Sequence, residues 1–159
     1  MRHRDSSPRN LHVPAAASPA CQRRRCPIQQ DLTRIHAGES DYLIYAYCGK
    51  EIVKRLAFGS GGLTALKDKL EPENVNYALV SYEHTALAKR LGRAVPQDVL
   101  VFVTWFPPGM SPMVRGAVSS HRAAVQSIFA PFQLDLTAET LSDLDNVDAK
   151  VVEYVEKTF

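Results

Sequence analysis

The chain has 159 residues, of which 45% are hydrophobic and 23% charged, with a formal net charge of +2. This length and composition suit one globular domain with a tail. They exclude a helical membrane span, because no apolar run approaches the roughly 18 residues that one requires.

Charge is unevenly spread. Residues 1–27 carry six arginines (Arg2, Arg4, Arg9, Arg23, Arg24 and Arg25) against one acid, Asp5, for a charge of +5. Subtracting these from the 19 basic and 17 acidic residues of the whole chain leaves 13 and 16, or −3. The segment is rich in Pro, Ser, Ala and Arg and shows no hydrophobic period, so a disordered tail is expected. Its Arg23–Arg24–Arg25 run offers an electrostatic contact to nucleic acid, membrane phosphates or an acidic partner, although a solvated tail is the simpler expectation. No apolar signal core follows, so a cytoplasmic location is expected. The three cysteines, Cys21, Cys26 and Cys48, fit reduced thiols. Cys21 and Cys26 lack the second ligand pair of a zinc site.

The periodic region begins at Pro27. PIQQDLTRIH (27–36) reads as a short helix, opened by Pro27 and stopped before Gly38. DYLIYAYC (41–48) and EIVKRLAF (51–58) read as the strands of a hairpin turned at Gly49–Lys50. The glycine-rich turn GSGG (59–62) leads into an amphipathic helix, LTALKDKLEP (63–72), with Leu63, Leu66 and Leu70 on one stripe. VNYALVSYE (75–83) is a third strand. A basic connection then leads to VLVFVTWF (99–106), whose unbroken apolar run predicts a strand buried on both faces. A helix from Ser111 to Phe129, a short strand FQLDLTA (132–138) and a closing helix or helix pair (139–159) complete the order. Helices interleaved with hairpins imply an α/β (α+β) domain over 28–159, a mixed sheet sandwiched by helices.

The tests for chemistry are negative. GSGG lies where a phosphate loop would, but it lacks the Gly-Lys-Ser/Thr ending, and the strands before it form a hairpin rather than a βαβ unit. Glycines there are expected to serve positive φ and close strand-to-helix packing. Asp143, Asp145 and Asp148 lack the glycine and terminal glutamate of a calcium loop, and helix capping explains them better. No histidine pair has metal spacing, and no nucleophile has a base placed beside it. A binding protein without cofactors is therefore expected, and no enzyme.

The long helix is the most informative segment. Ser111 suits the N-cap and Pro112 the first helical position. Val114, Ala117, Val118, His121, Val125, Ile128 and Phe129 fall on one 3.6-residue stripe, assigned to the sheet. Arg115, Ser119, Arg122 and Gln126 fall on another, at spacings of four, three and four. These are expected to point outward as a basic ridge, held still by Pro107, Pro108 and Gly109 before it.

LAFGSGGLTALKDKL (56–70), VFVTWF (101–106), SPMVRGAVSSHRAAVQSIF (111–129), FQLDLTA (132–138) and the closing helix together resemble the actin-depolymerising-factor homology domain. Within that superfamily the chain is most similar to the coactosins. The resemblance covers residues 28–157 and rests on the order and spacing of segments rather than on one motif. It implies a gelsolin-like fold, a five-stranded mixed sheet between about four helices. It also implies a monomeric cytoskeletal protein that binds actin, with filaments as the leading partner. Cofilin-like monomer binding with severing, and a non-actin binding module on the same fold, are the alternatives. The contacts implied are Arg115, Arg122, Ser119 and Met113 on the long helix. A second, filament-directed contact is implied at Lys89, Arg90 and Arg93 on the connection and at Lys150 and Lys157 on the closing helix. The chain departs from the pattern in two places. The lysine that coactosins carry just before the Trp strand aligns with Val99, and Pro107–Pro108 is closer to the cofilin sequence there.

Overall fold

The structure, a computed structural model, describes residues 28–48, 51–84, 89–90, 92 and 98–159. The expected tail (1–27), the Gly49–Lys50 turn and Arg93 lie outside the described residues. In chain order the elements are α1 (Ile28–His36), β1 (Tyr42–Cys48), β2 (Glu51–Gly59), α2 (Gly62–Lys69) and β3 (Asn76–Glu83). They continue with β4 (Asp98–Trp105), α3 (Pro112–Phe129), β5 (Leu134–Ala138), α4 (Leu141–Asp145) and α5 (Val147–Thr158). The five strands form one sheet in the order β2-β1-β3-β4-β5. The first three pairings are antiparallel and β4–β5 is parallel, so the sheet is mixed as expected. A parallel pair needs a crossover, and α3 supplies it.

Alternation along the strands separates two cores. Ile44, Val80, Val101, Val103 and Trp105 point to one face, where Leu66 of α2, Leu144 of α4 and Val147, Val151 and Val155 of α5 cover them. Leu43, Tyr45, Tyr77, Leu79 and Phe102 point to the other, beneath α1 and α3. Val101, Phe102 and Val103 of β4 are each at most 1% exposed, so this strand is buried on both faces. Full burial of one such side chain contributes about 1.5–3 kcal/mol. These two apolar layers, rather than surface ion pairs, therefore hold the helices to the sheet.

Polar groups are placed where they have partners. Asp31 of α1 is 2% exposed, yet Tyr45 donates to its Oδ2 at 2.6 Å and Arg55 to both oxygens at 2.9 and 3.1 Å. Those bonds offset the desolvation of a buried carboxylate and tie α1 to β1 and β2. In the glycine turn, Gly61 has φ +118° and donates its amide to Asp41 at 2.8 Å. A Cβ there would stand 2.7 Å from that of Ala65, so the glycine serves strand-to-helix packing. The closing segment is a helix pair. Thr140 and Asp143 form a capping box at the start of α4, which accounts for one of the three clustered aspartates.

Candidate functional site

Trp105 ends β4 with its indole Nε1 donating to the Glu71 carbonyl at 3.1 Å. Asn76 Oδ1 accepts from the Glu71 amide at 2.8 Å, and the Tyr47 amide donates to the Val75 carbonyl at 2.9 Å. These bonds fix the turn at 71–75 beside the end of the sheet. Opposite it, the chain leaves β4 through Phe106, Pro107, Pro108 and Gly109, the last at φ +81°. Proline fixes its own φ, so this exit is stiff. Between the two segments lies an open cleft of about 780 Å³, walled by Tyr47, Pro72, Val75, Pro107, Met110 and Val114. Ser111 then caps α3, its Oγ accepting from the Val114 amide at 3.4 Å, and Pro112 occupies the first turn.

The rotation of α3 corrects two sequence expectations. Val118, Val125 and Phe129 are buried and His121 is half-buried, as the inward stripe requires. Val114 and Ile128, however, are 41% and 39% exposed, and Ala117 is exposed as well. Arg115, Arg122 and Gln126 are half-buried instead of standing out as a ridge. The reason lies in the sheet edge. Leu136 and Ala138 of β5 face the core under α4 and α5. Asp135 and Thr137, alternating with them, face α3, and Glu139 follows in the same row. The flank of α3 over β5 therefore meets carboxylates, and a hydrophobic period cannot register a face buried against acids.

Both arginines are paired there. Arg115 donates through both Nη atoms to Glu139, at 2.6 and 3.0 Å, and its Cζ lies 5.6 Å from the centroid of the Phe106 ring. Hydrogen bonding to Glu139 raises the Arg115 pKa, and the same bonds hold the Glu139 carboxyl below its ordinary value. Arg122 donates through Nη2 to both oxygens of Asp135 at 2.7 Å, and Gln126 adds a third bond at 2.7 Å. Beneath Arg122, the Tyr77 hydroxyl has a pKa pushed up to about 12 by burial, with Tyr47 adding to the rise and Arg122 opposing it.

The other predicted site residues fall into two groups. Met113, 85% exposed, and Ser119, also exposed, lie on the outer side of α3. Lys89, Arg90, Lys150 and Lys157 are exposed, and Arg90 lies 3.6 Å from Glu156 of α5. That pair brings the connection against the closing helix. Lys150 and Lys157 border a hollow of about 310 Å³ with Leu134, Glu153 and Tyr154. Arg93 lies outside the described residues. Val99, which aligns with the coactosin lysine, is 1% exposed and belongs to the core, so it supplies no surface contact.

Asp135, Glu139 and Tyr47 were absent from the sequence-based site, although a signal for the two acids existed. A β-α-β crossover runs its helix antiparallel to the following strand, so early helix residues meet late strand residues. Arg115 and Arg122 are seven residues apart, about 10 Å along a helix, and Asp135 and Glu139 are four apart, about 13 Å along a strand. Among the described residues no cluster of three metal-ligating side chains occurs, and no helix is long and apolar enough to cross a membrane.

A family model for cofilin/tropomyosin-type actin-binding proteins matches residues 24–151. The chain belongs to that family. Its fold is similar to that of coactosin from Entamoeba histolytica, with TM-score 0.63, 19% identity and coverage of 83% of this chain and 90% of that one. Human coactosin-like protein gives TM-score 0.62 at 15% identity, covering 84% and 94%. Cofilin from Streptomyces griseoflavus gives TM-score 0.63 at 12% identity, covering 84% and 96%. No curated protein sequence matches the chain.

Proposed function

We propose that this chain is a monomeric, cytoplasmic protein of the cytoskeleton that binds actin filaments in the coactosin manner, with no chemistry of its own. The observation that carries this reading is Met113, 85% exposed and bordering an apolar cleft with Val114 and Ala117, in a chain of an actin-binding family. Single exposed apolar residues are ordinary on protein surfaces, but a contiguous patch on a stiff mount is a docking feature. Rigidity matters because a loose helix start would add an ordering cost to each binding event. Met113, Val114 and Ser119 form the contact, flanked by Arg115 and Arg122 in their pairs. Lys89, Arg90, Arg93, Lys150 and Lys157 form the second, filament-directed contact, and the Arg90–Glu156 approach supports joining Lys89 and Arg90 to the face of α5. The domain runs over 28–159, with residues 1–27 as a basic tail outside the contact.

Co-sedimentation with filaments, combined with imaging of labelled filaments, tests this. The expected result is pelleting without severing. Met113→Asp is expected to weaken pelleting about tenfold while leaving the thermal midpoint unchanged. Severing together with tight monomer binding would move the chain to the cofilin manner. Absence of pelleting would leave a binding module for another protein. Deleting residues 1–27 separates the nucleic-acid alternative: filament binding is expected to survive, and affinity for nucleic acid to collapse.

A further inference from the structure

We propose that Asp135 and Glu139 determine the specificity of the α3 docking face, by holding Arg115 and Arg122 away from acidic partners. The inference rests on the actin reading above and adds the residues that set the charge of the contact.

The sequence of α3, PMVRGAVSSHRAAVQSIF, contains two arginines and no acid. Alone, this helix would present a cationic line to any acidic surface, nucleic acid included. The fold removes that charge with two carboxylates from one short edge strand and the residue after it. Glu139 engages both Nη atoms of Arg115, and Asp135 engages Arg122 through both of its own oxygens. The Arg115–Glu139 fork is the arrangement that a partner carboxylate or phosphate would need for itself, and Asp135 occupies the Nη2 donor of Arg122. Arg115 is further held over the ring of Phe106, and Gln126 steadies the Asp135 carboxylate. Two positive and two negative groups cancel along the flank. The exposed outer side of the first half of α3 includes Met113, Val114, Gly116, Ala117, Ser119 and Ser120, an apolar and small-residue surface. Such a face selects a partner by shape, and the two pairs withhold the general attraction that a bare pair of arginines would supply, at a cost in affinity for the filament itself.

The side chains of both pairs remain one-third to one-half exposed, at 38% and 49% for Arg115 and Glu139 and 31% and 34% for Arg122 and Asp135. Pairs so exposed are individually weak, so their removal frees the guanidinium groups without unfolding the domain.

The test uses the full chain with Glu139→Gln, Asp135→Asn and both together. Glu39→Gln is the charge control, since Glu39 forms an exposed pair with Arg34 at the end of α1. Two readouts are taken. Phenylglyoxal labelling, resolved by peptide mass spectrometry, reports whether each arginine is held. Filament co-sedimentation at low and at physiological salt reports the docking face. Arg115 in Glu139→Gln and Arg122 in Asp135→Asn are expected to label several-fold faster. The double variant is expected to bind filaments about fivefold more tightly at low salt, with the gain shrinking as salt rises. The single variants, expected to show smaller gains of the same sign, decide the matter if the double variant fails to fold. Faster labelling with unchanged or weaker filament binding overturns the proposal and leaves the actin reading standing. An equal gain in Glu39→Gln also overturns it, since net charge alone would then explain the effect. If the folded parental chain and every variant fail to pellet, the actin reading fails and takes the proposal with it.

Discussion

The Tyr47 hydroxyl lies 2.6 Å from Nδ1 of His121, joining the end of strand β1 to the middle of α3. Their rings also meet, 6.0 Å apart and tilted. The bond sits behind the cleft that Tyr47 walls, so it fixes α3 against the sheet near its exposed docking residues. Tyr47→Phe keeps the ring and removes the hydrogen bond. It is expected to lower stability by about 1 kcal/mol in urea denaturation, with an unchanged slope. An unchanged midpoint would mean that ring packing alone holds the helix there.

Glu139 gives the molecule an acid-sensitive contact. Its carboxyl is depressed below 4.5 chiefly by hydrogen bonding to Arg115. A group depressed in the folded state contributes stability above its unfolded pKa and loses that contribution as pH falls through the folded value. Asp143, held down by the amides of Glu139 and Thr140, and Glu153, held down by Lys157, act in the same direction. Stability measured by urea denaturation is therefore expected to fall as pH drops below about 5. In Glu139→Gln the fall should be shallower, and the gap between variant and parent should close toward acid pH. A gap that stays constant across the titration would remove the pair from the explanation.

Two glycines make opposite predictions under one substitution. Gly61, at φ +118° with Ala65 Cβ 2.7 Å from its missing side chain, has neither the backbone freedom nor the space for alanine. Gly61→Ala is expected to cost about 1–3 kcal/mol. Gly116, inside α3, has open space around it. Gly116→Ala is expected to stabilise by about 0.5–1 kcal/mol, through helix propensity and a less flexible unfolded chain. Thermal and urea unfolding of both variants read the contrast, and a loss at position 116 would reveal close packing on a face that is exposed here.

The architecture was legible in the sequence where a single period governed an element. The unbroken run of β4 encoded burial on both faces, and Val101, Phe102 and Val103 show it. Ser111, Pro112 and Gly61 stand where local chain chemistry put them. The rotation of α3 was not legible, because the helix lies over an edge strand. Its inward arc is apolar at Val118 and at Phe129, which meets Tyr45 of β1 and Phe102 of β4, and ionic over β5, at Arg115 and Arg122. Hydrophobic periodicity scores the first and misreads the second as solvent-facing. The alternation of Leu134, Asp135, Leu136 and Thr137 held the missing information, but only once β5 was known to sit beside α3.

That pairing decides how the arginines must be probed. Arg115→Glu alone places a carboxylate against Glu139, so it combines repulsion within the fold with any loss of contact to a partner. It is expected to lower the urea midpoint, and weaker filament binding in this variant would not assign a role to the guanidinium. The exchange Arg115→Glu with Glu139→Arg rebuilds an ion pair of the opposite polarity. The urea midpoint is expected to return most of the way to that of the parent, the shortfall reflecting the lost approach of Arg115 to Phe106. Because the flank is neutral in either polarity, filament affinity should return to within about twofold. Recovered stability with affinity still lost would show that the guanidinium at position 115 touches the partner itself, and that the pair opens on docking.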